Sequence, residues 1–177
     1  MKKAFLIALA GLMLMACTDY DSGIKRRLPP PAKEQDEDFT IKERNVMHVF
    51  VSADNRLSVS YGEGEDKEIE LTDLSDAAKR FMTPRPNDET APEVGTKTFD
   101  LVGDVLMSKG VISLQNDRGT SYAMYISVQN ELARAFNEMK EELAWQKFHK
   151  HLDQLTEEQT KAINEAVPVR ISEAEPL

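Results

Sequence analysis

The sequence predicts an α+β domain in which two main helices pack on a small, mostly antiparallel sheet. Short apolar segments that alternate with polar residues are typical of strands, and they recur between residues 45 and 120. From Tyr125 to Leu143 the apolar residues instead recur every three or four positions, which is the period of a helix. The resulting order of hairpin, helix, strands, long helix and short helix favours helices packed on one sheet.

The first elements form a predicted hairpin, and ordered structure is expected to begin at Asn45. Val46–Val51 is a short apolar strand, and the turn residues at 53–56 separate it from a second strand in which Leu57, Val59 and Tyr61 alternate with polar residues. A polar loop follows, and residues 69–71 are expected to add a short strand.

The next helix and strand are predicted from their end signals. Thr72 is expected to be the N-cap of a helix that contains Leu74, Ala78 and Phe81 and stops before Pro84. Residues 84–96 are predicted to be a loop. Residues 99–107 are predicted to form one strand, bulged at Gly103.

The second half of the domain contains the clearest helix. After a turn at Lys109 and Gly110, residues 111–114 predict another strand, and a long helix runs from Ser121 to about Phe148. We expect Leu132, Phe136 and Met139 to face the sheet, while the charged side of the helix carries an Arg134–Glu138 pair.

The C-terminal region predicts one more helix. Thr156 and Gln159 have the spacing of a capping box, which opens a short helix that ends near Ala166. Residues 169–171 are expected to form either a last strand or an ordered tail.

Composition limits the classes of function. The chain has 177 residues, a length that suits one domain with tails. Its net charge of −9 argues against a nucleic-acid partner, because the phosphates of nucleic acids bind basic surfaces. A single cysteine, Cys17, excludes an intrachain disulfide framework and a cysteine-based zinc finger.

Residues 1–17 predict a membrane anchor or a cleaved leader. Two lysines precede thirteen residues without a polar side chain, which is short for a helix that spans a bilayer. The ending Leu14-Met15-Ala16-Cys17 resembles a bacterial lipobox, in which the cysteine is lipidated after cleavage. A short membrane anchor is the alternative, and both interpretations place most of the chain outside the cytoplasm.

Residues 18–44 predict a flexible linker, and residues 45–177 the folded domain. The linker contains a Pro29-Pro30-Pro31 run, which favours extended polyproline geometry, and a charged run over residues 33–38. Such a tether holds a folded domain away from a membrane.

The residue patterns predict neither catalysis nor a cofactor. His149 and His151 lie two positions apart, so on a helix they would point in different directions, and they are expected to lie at a solvated helix end. His48 is expected on the exposed face of its strand. The acidic runs lack the spacing of a calcium loop, and neither a phosphate loop nor a nucleophile elbow is present. The sequence therefore predicts a protein that is not an enzyme, with no metal site.

Three stretches of the sequence resemble the ExbD/TolR family, whose members belong to the TonB energising machinery of Gram-negative envelopes. They are residues 19–31, residues 45–81, and the run Ile112-Ser113-Leu114-Gln115-Asn116-Asp117-Arg118-Gly119-Thr120-Ser121-Tyr122 taken together with Arg170-Ile171-Ser172-Glu173-Ala174-Glu175-Pro176. The turn Asp117-Arg118-Gly119 lies at the centre of the third and most specific stretch.

The resemblance implies a protein anchored in the inner membrane, with a small periplasmic domain that dimerises. Its expected partners are an ExbB-like channel subunit, a TonB-like protein and a second ExbD-like chain. The Leu28-Pro29 pair matches the linker region of the family that is implicated in contact with TonB.

The sequence departs from the family in the membrane segment. The family's membrane helix carries an aspartate that binds and releases protons. A buried carboxylate can do this because desolvation raises its pKa. Here Lys2 or Lys3 takes that place, and no carboxylate occurs from Ala4 to Thr18. The resemblance therefore implies an accessory role beside a chain that has the aspartate. The alternative is an envelope lipoprotein that binds peptidoglycan or another envelope partner.

Overall fold

A computed structural model describes residues 41–177 of the chain. The predicted anchor 1–17 and almost all of the linker 18–44 lie outside these residues. The predictions for Cys17, Leu28 and Pro29 therefore stay predictions.

The described residues form an α+β arrangement of seven strands and three α-helices. The strands are β1 Val46–Val51, β2 Leu57–Tyr61, β3 Lys67–Ile69, β4 Val94–Phe99, β5 Gly103–Ser108, β6 Val111–Asn116 and β7 Ile171–Glu173. The helices are α1 Leu74–Met82, α2 Tyr122–Phe148 and α3 Glu157–Ala166.

Five strands make one sheet in the order β3-β2-β1-β6-β7, and β4 with β5 forms a separate hairpin. The pairs β1–β2, β2–β3 and β4–β5 are antiparallel, whereas β1–β6 and β6–β7 are parallel. The predicted α+β class and the predominance of antiparallel pairing are confirmed.

The central strand β1 shows why the hairpin forms. Met47, Val49 and Val51 are buried and alternate with half-buried residues, so one face of the strand meets the core. Val49 lies opposite Val59 of β2, and Asn55 adopts a positive φ in the turn between the two strands. The predicted hairpin is confirmed, and His48 lies half-buried on the face away from the core.

The long helix α2 covers the core face of the sheet. Leu132 and Phe136 are buried in the main apolar cluster, together with residues of β1, β2, β6 and α1, and Met139 packs against its edge. Ser121 accepts a hydrogen bond from the backbone N–H of Met124 at 3.2 Å and so caps the N-terminus of α2. The predicted helix and its buried face are confirmed.

A second apolar cluster joins the β4–β5 hairpin to the other end of α2 and to α3. Phe99 and Val102 of the hairpin pack with Leu143 of α2 and Ile163 of α3. Thr156 and Gln159 form the reciprocal capping box at the start of α3, as the sequence predicts.

The predicted start of the first helix is wrong. Residues 67–69, not 69–71, form β3, and Leu71–Asp73 is a turn of 3-10 helix. Thr72 therefore lies inside this turn, and α1 begins at Leu74 after Asp73, whose side chain makes no capping bond. The backbone N–H of Asp73 donates to the carbonyl of Glu70. The 3-10 turn therefore provides a hydrogen-bond partner that a capping side chain would otherwise supply.

The single bulged strand predicted at residues 99–107 is also wrong. The chain turns back at residues 100–102, and residues 94–99 form the first strand of the hairpin, although residues 94–96 were predicted to lie in a loop. Leu101 and Gly103 both have positive φ, which ends the pairing and reverses the chain.

The predicted Arg134–Glu138 pair does not form. Arg134 instead pairs with Glu131 at 2.6 Å, one turn earlier on the same helix. Lys79 of α1 binds Glu138 at 3.2 Å and Glu142 at 2.7 Å, and these contacts raise the pKa of Lys79, Glu142 contributing most. Glu138 thus links two helices.

Candidate functional site

The Asp117-Arg118-Gly119 turn joins β6 to α2 and is held by its own backbone and side chain. The Asp117 carboxylate accepts a hydrogen bond from the backbone N–H of Gly119 at 2.8 Å, and the Asp117 carbonyl accepts one from Thr120 at 3.0 Å. The Asp117 carboxylate therefore stabilises the turn, which explains why an aspartate occupies this position.

The same turn packs tightly against the turn of the first hairpin. A Cβ atom added at Gly119 would lie 2.7 Å from the Cβ of Ala53, so the close approach requires glycine. The Thr120 hydroxyl lies within hydrogen-bond distance of the carbonyls of Val51 and Ser52, and Asn55 accepts a hydrogen bond from Ser121 N–H at 2.9 Å.

The C-terminal segment runs beside β6 and ends at this turn. Ile112 donates to the Arg170 carbonyl and Ala174 donates to the Leu114 carbonyl, each at 2.9 Å. The backbone N–H of Arg118 donates to the carbonyl of Leu177 at 3.2 Å. Residues 112–122 and 170–176, the two parts of the third and most specific stretch of the resemblance, therefore lie side by side.

The histidines near the end of α2 lie beside the ring of Trp145. His149 ends the helix in the left-handed conformation, and the ring of His151 lies 5.3 Å from that of Trp145. Within residues 41–177, no group of three or more His, Cys, Asp or Glu side chains is placed to hold a metal ion.

Glu141 ties α2 to the residues that follow it. Its carboxylate contacts the His151 ring and accepts a hydrogen bond from the Leu152 N–H at 3.0 Å. The bond to His151, followed by that to Leu152, holds the pKa of Glu141 below its ordinary value. The carboxylate therefore fixes the chain reversal between α2 and α3.

The residues that precede β1 form polar contacts with Glu93. Asn45 is buried, and its side-chain oxygen accepts a hydrogen bond from the Glu93 N–H at 2.8 Å. Lys42 binds the Glu93 carboxylate at 2.6 Å, and this bond contributes most to the lowered pKa of Glu93. The residues that lead into β1 are thus fastened to the loop before β4.

Two of the surface grooves of the described domain are candidate binding sites. The apolar groove, of about 370 Å³, lies between β5, α2 and the chain after α3, and Leu106, Met107 and Met139 are among its lining residues. The arginine groove, of about 590 Å³, is lined by Arg44, Arg80 and Arg85 and by Tyr61 at the end of β2. Both volumes lie within the range of ligand pockets.

Sequence reasoning missed both grooves. Arg44 lies in the first 3-10 turn, Glu43–Asn45, whereas Arg80 lies in α1 and Arg85 in the loop after it, so no local motif joins them. Among residues 41–177 the sequence indicated only the Asp117-Arg118-Gly119 turn, which packs against the turn of the first hairpin.

No protein-family model, no curated protein and no solved structure matches this chain. Among residues 41–177, no helix is both long enough and apolar enough to cross a bilayer.

Proposed function

We propose that this protein is a non-enzymatic, ExbD-like accessory subunit of an energy-transducing complex driven by the proton-motive force. In this proposal it is held at the inner membrane, most of the chain is periplasmic, and the complex supports import across the outer membrane. One observation carries the proposal: residues 112–122 and 170–176, which resemble the family most specifically, lie side by side. A chance likeness in two distant stretches would not require them to pair.

The organisation of the chain supports the same function. An apolar N-terminal segment, a Pro-rich and charged linker and one small domain are the parts that a tethered periplasmic adaptor needs. The expected partners are an ExbB-like channel subunit, a TonB-like protein and a second ExbD-like chain. Leu28 and Pro29 are the proposed region of contact with the TonB-like protein.

The second chain is needed for a chemical reason. Moving protons through a hydrocarbon-lined channel requires a group that binds and releases them, and residues 4–16 offer only apolar side chains and Gly11. Lys2 and Lys3 lie at the start of the segment, where they can extend to water and remain charged. A mixed dimer with an aspartate-bearing chain would supply the missing carboxylate.

Affinity purification of the full chain from detergent-solubilised membranes of its host tests this function. We expect an ExbB-like channel subunit and an aspartate-bearing ExbD-like chain to co-purify. Deleting every aspartate-bearing homologue while keeping this gene should abolish TonB-dependent uptake. Undiminished uptake in that strain, or purification without the channel subunit, would contradict the proposal.

A second candidate is an envelope lipoprotein that binds peptidoglycan or another envelope partner outside the motor. The Leu14-Met15-Ala16-Cys17 ending and the absence of a carboxylate from Ala4 to Thr18 favour it. Intact-mass spectrometry of membrane-extracted protein separates the two candidates. The accessory subunit should retain residues 1–16, whereas the lipoprotein should begin at a diacylated or triacylated Cys17, and a Cys17→Ser variant should then lose the lipid mass.

A further inference from the structure

The arginine groove brings charges of both signs together. Arg44, Arg80 and Arg85 line it, and so do Glu43, Glu63 and Glu89. Within residues 41–177 none of these six side chains forms an ion pair with another of them. Among these six residues only Arg85 forms an ion pair within residues 41–177. Its partner is Asp88, at 2.8 Å, which does not line the groove. The groove thus presents cationic and anionic groups that do not neutralise one another by contact.

Arg85 also carries a donor that the described residues leave unsatisfied. Its Nε atom is buried and has no hydrogen-bond partner, although its terminal nitrogen binds Asp88. Because Nε is buried while the Arg85 side chain as a whole is 41% exposed, a ligand in the groove would contact the other, exposed atoms of this side chain.

Tyr61 provides the aromatic wall of the groove. It is 46% exposed, and its ring centroid lies 5.7 Å from that of the buried Phe81. Burial raises the pKa of the Tyr61 phenol, and the nearby charges of Arg80 and Arg85 partly oppose this increase. Tyr61, Arg80 and Arg85 line the same groove.

The shape of the groove depends on Gly62. This residue has a φ of 58°, its N–H donates to the Val46 carbonyl at 2.9 Å, and a Cβ there would lie 3.2 Å from the Glu43 carbonyl oxygen. The chain after β2 consequently turns close to the first 3-10 turn, which brings the residues beside Arg44 near those of the β2 end.

We propose that the arginine groove binds a small zwitterionic ligand, an amino acid or short peptide with a free carboxylate and a free ammonium group. The guanidinium groups would bind the carboxylate in a planar, bidentate manner, and the glutamates would receive the ammonium. A simple polyanion such as phosphate fits less well, because three glutamates are among the residues that line the same groove.

Titrations of the full chain with four probes test the ligand class. The probes are trialanine, trialanine with an amidated C-terminus, trialanine with an acetylated N-terminus, and inorganic phosphate. Binding is followed by NMR through the arginine side-chain N–H signals and the backbone signals of residues 61–63 and 80–85. We expect trialanine to shift these signals and each capped peptide to bind about tenfold more weakly, since each lacks one charge-assisted contact.

A matched pair of variants locates the site. Arg80→Gln should weaken trialanine binding about tenfold, and it should leave the fold intact because the Arg80 side chain is exposed and has no ion pair among the described residues. Arg118→Gln removes an exposed arginine that lines none of the described grooves and should leave binding unchanged.

Three results would overturn the inference: equal binding of the capped and uncapped peptides, phosphate binding as tight as that of trialanine, or unchanged binding by the Arg80→Gln variant. If phosphate bound as tightly as trialanine, the ligand class would be a simple oxyanion and not a zwitterion. The groove belongs to the folded domain and requires no membrane partner, so this inference and the proposed function can fail separately.

Discussion

Leu132 offers the most direct test of the packing between α2 and the sheet. Its side chain is 0% exposed and belongs to the main apolar cluster, with Met47, Val49 and Leu114 on the sheet side. Leu132→Ala removes three carbon atoms, which corresponds to about 2.4 kcal/mol of transfer free energy at about 0.8 kcal/mol per buried methylene. The cavity left behind adds to this cost, and the better helix propensity of alanine offsets only a few tenths, so we expect a loss of about 2–5 kcal/mol.

The assay is urea-induced unfolding followed by far-UV circular dichroism, with the free energy of unfolding extrapolated to water. Tyr122→Ala is the control on the same helix, since Tyr122 is 78% exposed, and it should change the free energy of unfolding by no more than about 0.5 kcal/mol. A loss below about 1 kcal/mol for Leu132→Ala, with an unchanged denaturant slope, would refute the inference that α2 closes the core at this position.

Three further substitutions test local contacts. Ser121→Ala removes the cap of α2 and should cost about 0.5–2 kcal/mol in urea unfolding. Ser121→Asp keeps an acceptor and should retain most of this stability, so equal losses would exclude capping. Gly119→Ala brings a Cβ within 2.7 Å of that of Ala53, and the Tm in a calorimetric scan should fall by about 3–9 °C; an unchanged Tm would show that the turn can move. Because the pKa of Glu141 is lowered on folding, its contribution to stability is present above the unfolded-state pKa and is lost as the pH falls through the folded-state pKa. Glu141→Gln should therefore destabilise the protein near neutral pH, and the difference from wild type should shrink below about pH 4.5; a difference independent of pH would contradict this.

The candidate site illustrates the limit of reasoning from sequence. The Asp117-Arg118-Gly119 turn could be located because its three residues are adjacent and have familiar turn chemistry. Its docking against Ala53 and its proximity to Leu177 could not be located, because those contacts join distant parts of the chain. The arginine groove was missed for the same reason.

The secondary structure shows the same division between local and distant information. Thr72 was a plausible N-cap by residue type, yet a 3-10 turn precedes α1 and moves its start to Leu74. The pattern at residues 99–107 predicts one bulged strand instead of the turn and second strand of a hairpin, because Leu101 adopts a positive φ that residue type does not favour.

The sequence by itself determined the elements whose signals lie within a few residues. Helix α2 follows from its apolar period and from Ser121, α3 from the Thr156–Gln159 capping box, and the β1–β2 hairpin from alternation around a polar turn. Only the tertiary structure decided that β6 pairs in parallel with β1, that β7 pairs in parallel with β6, and that Arg44 and Arg80 line one groove. Local signals depend on backbone hydrogen bonds and side-chain periodicity over one or two turns. Parallel pairing and groove formation instead depend on which distant surfaces bury the most apolar area together, a property of the whole chain.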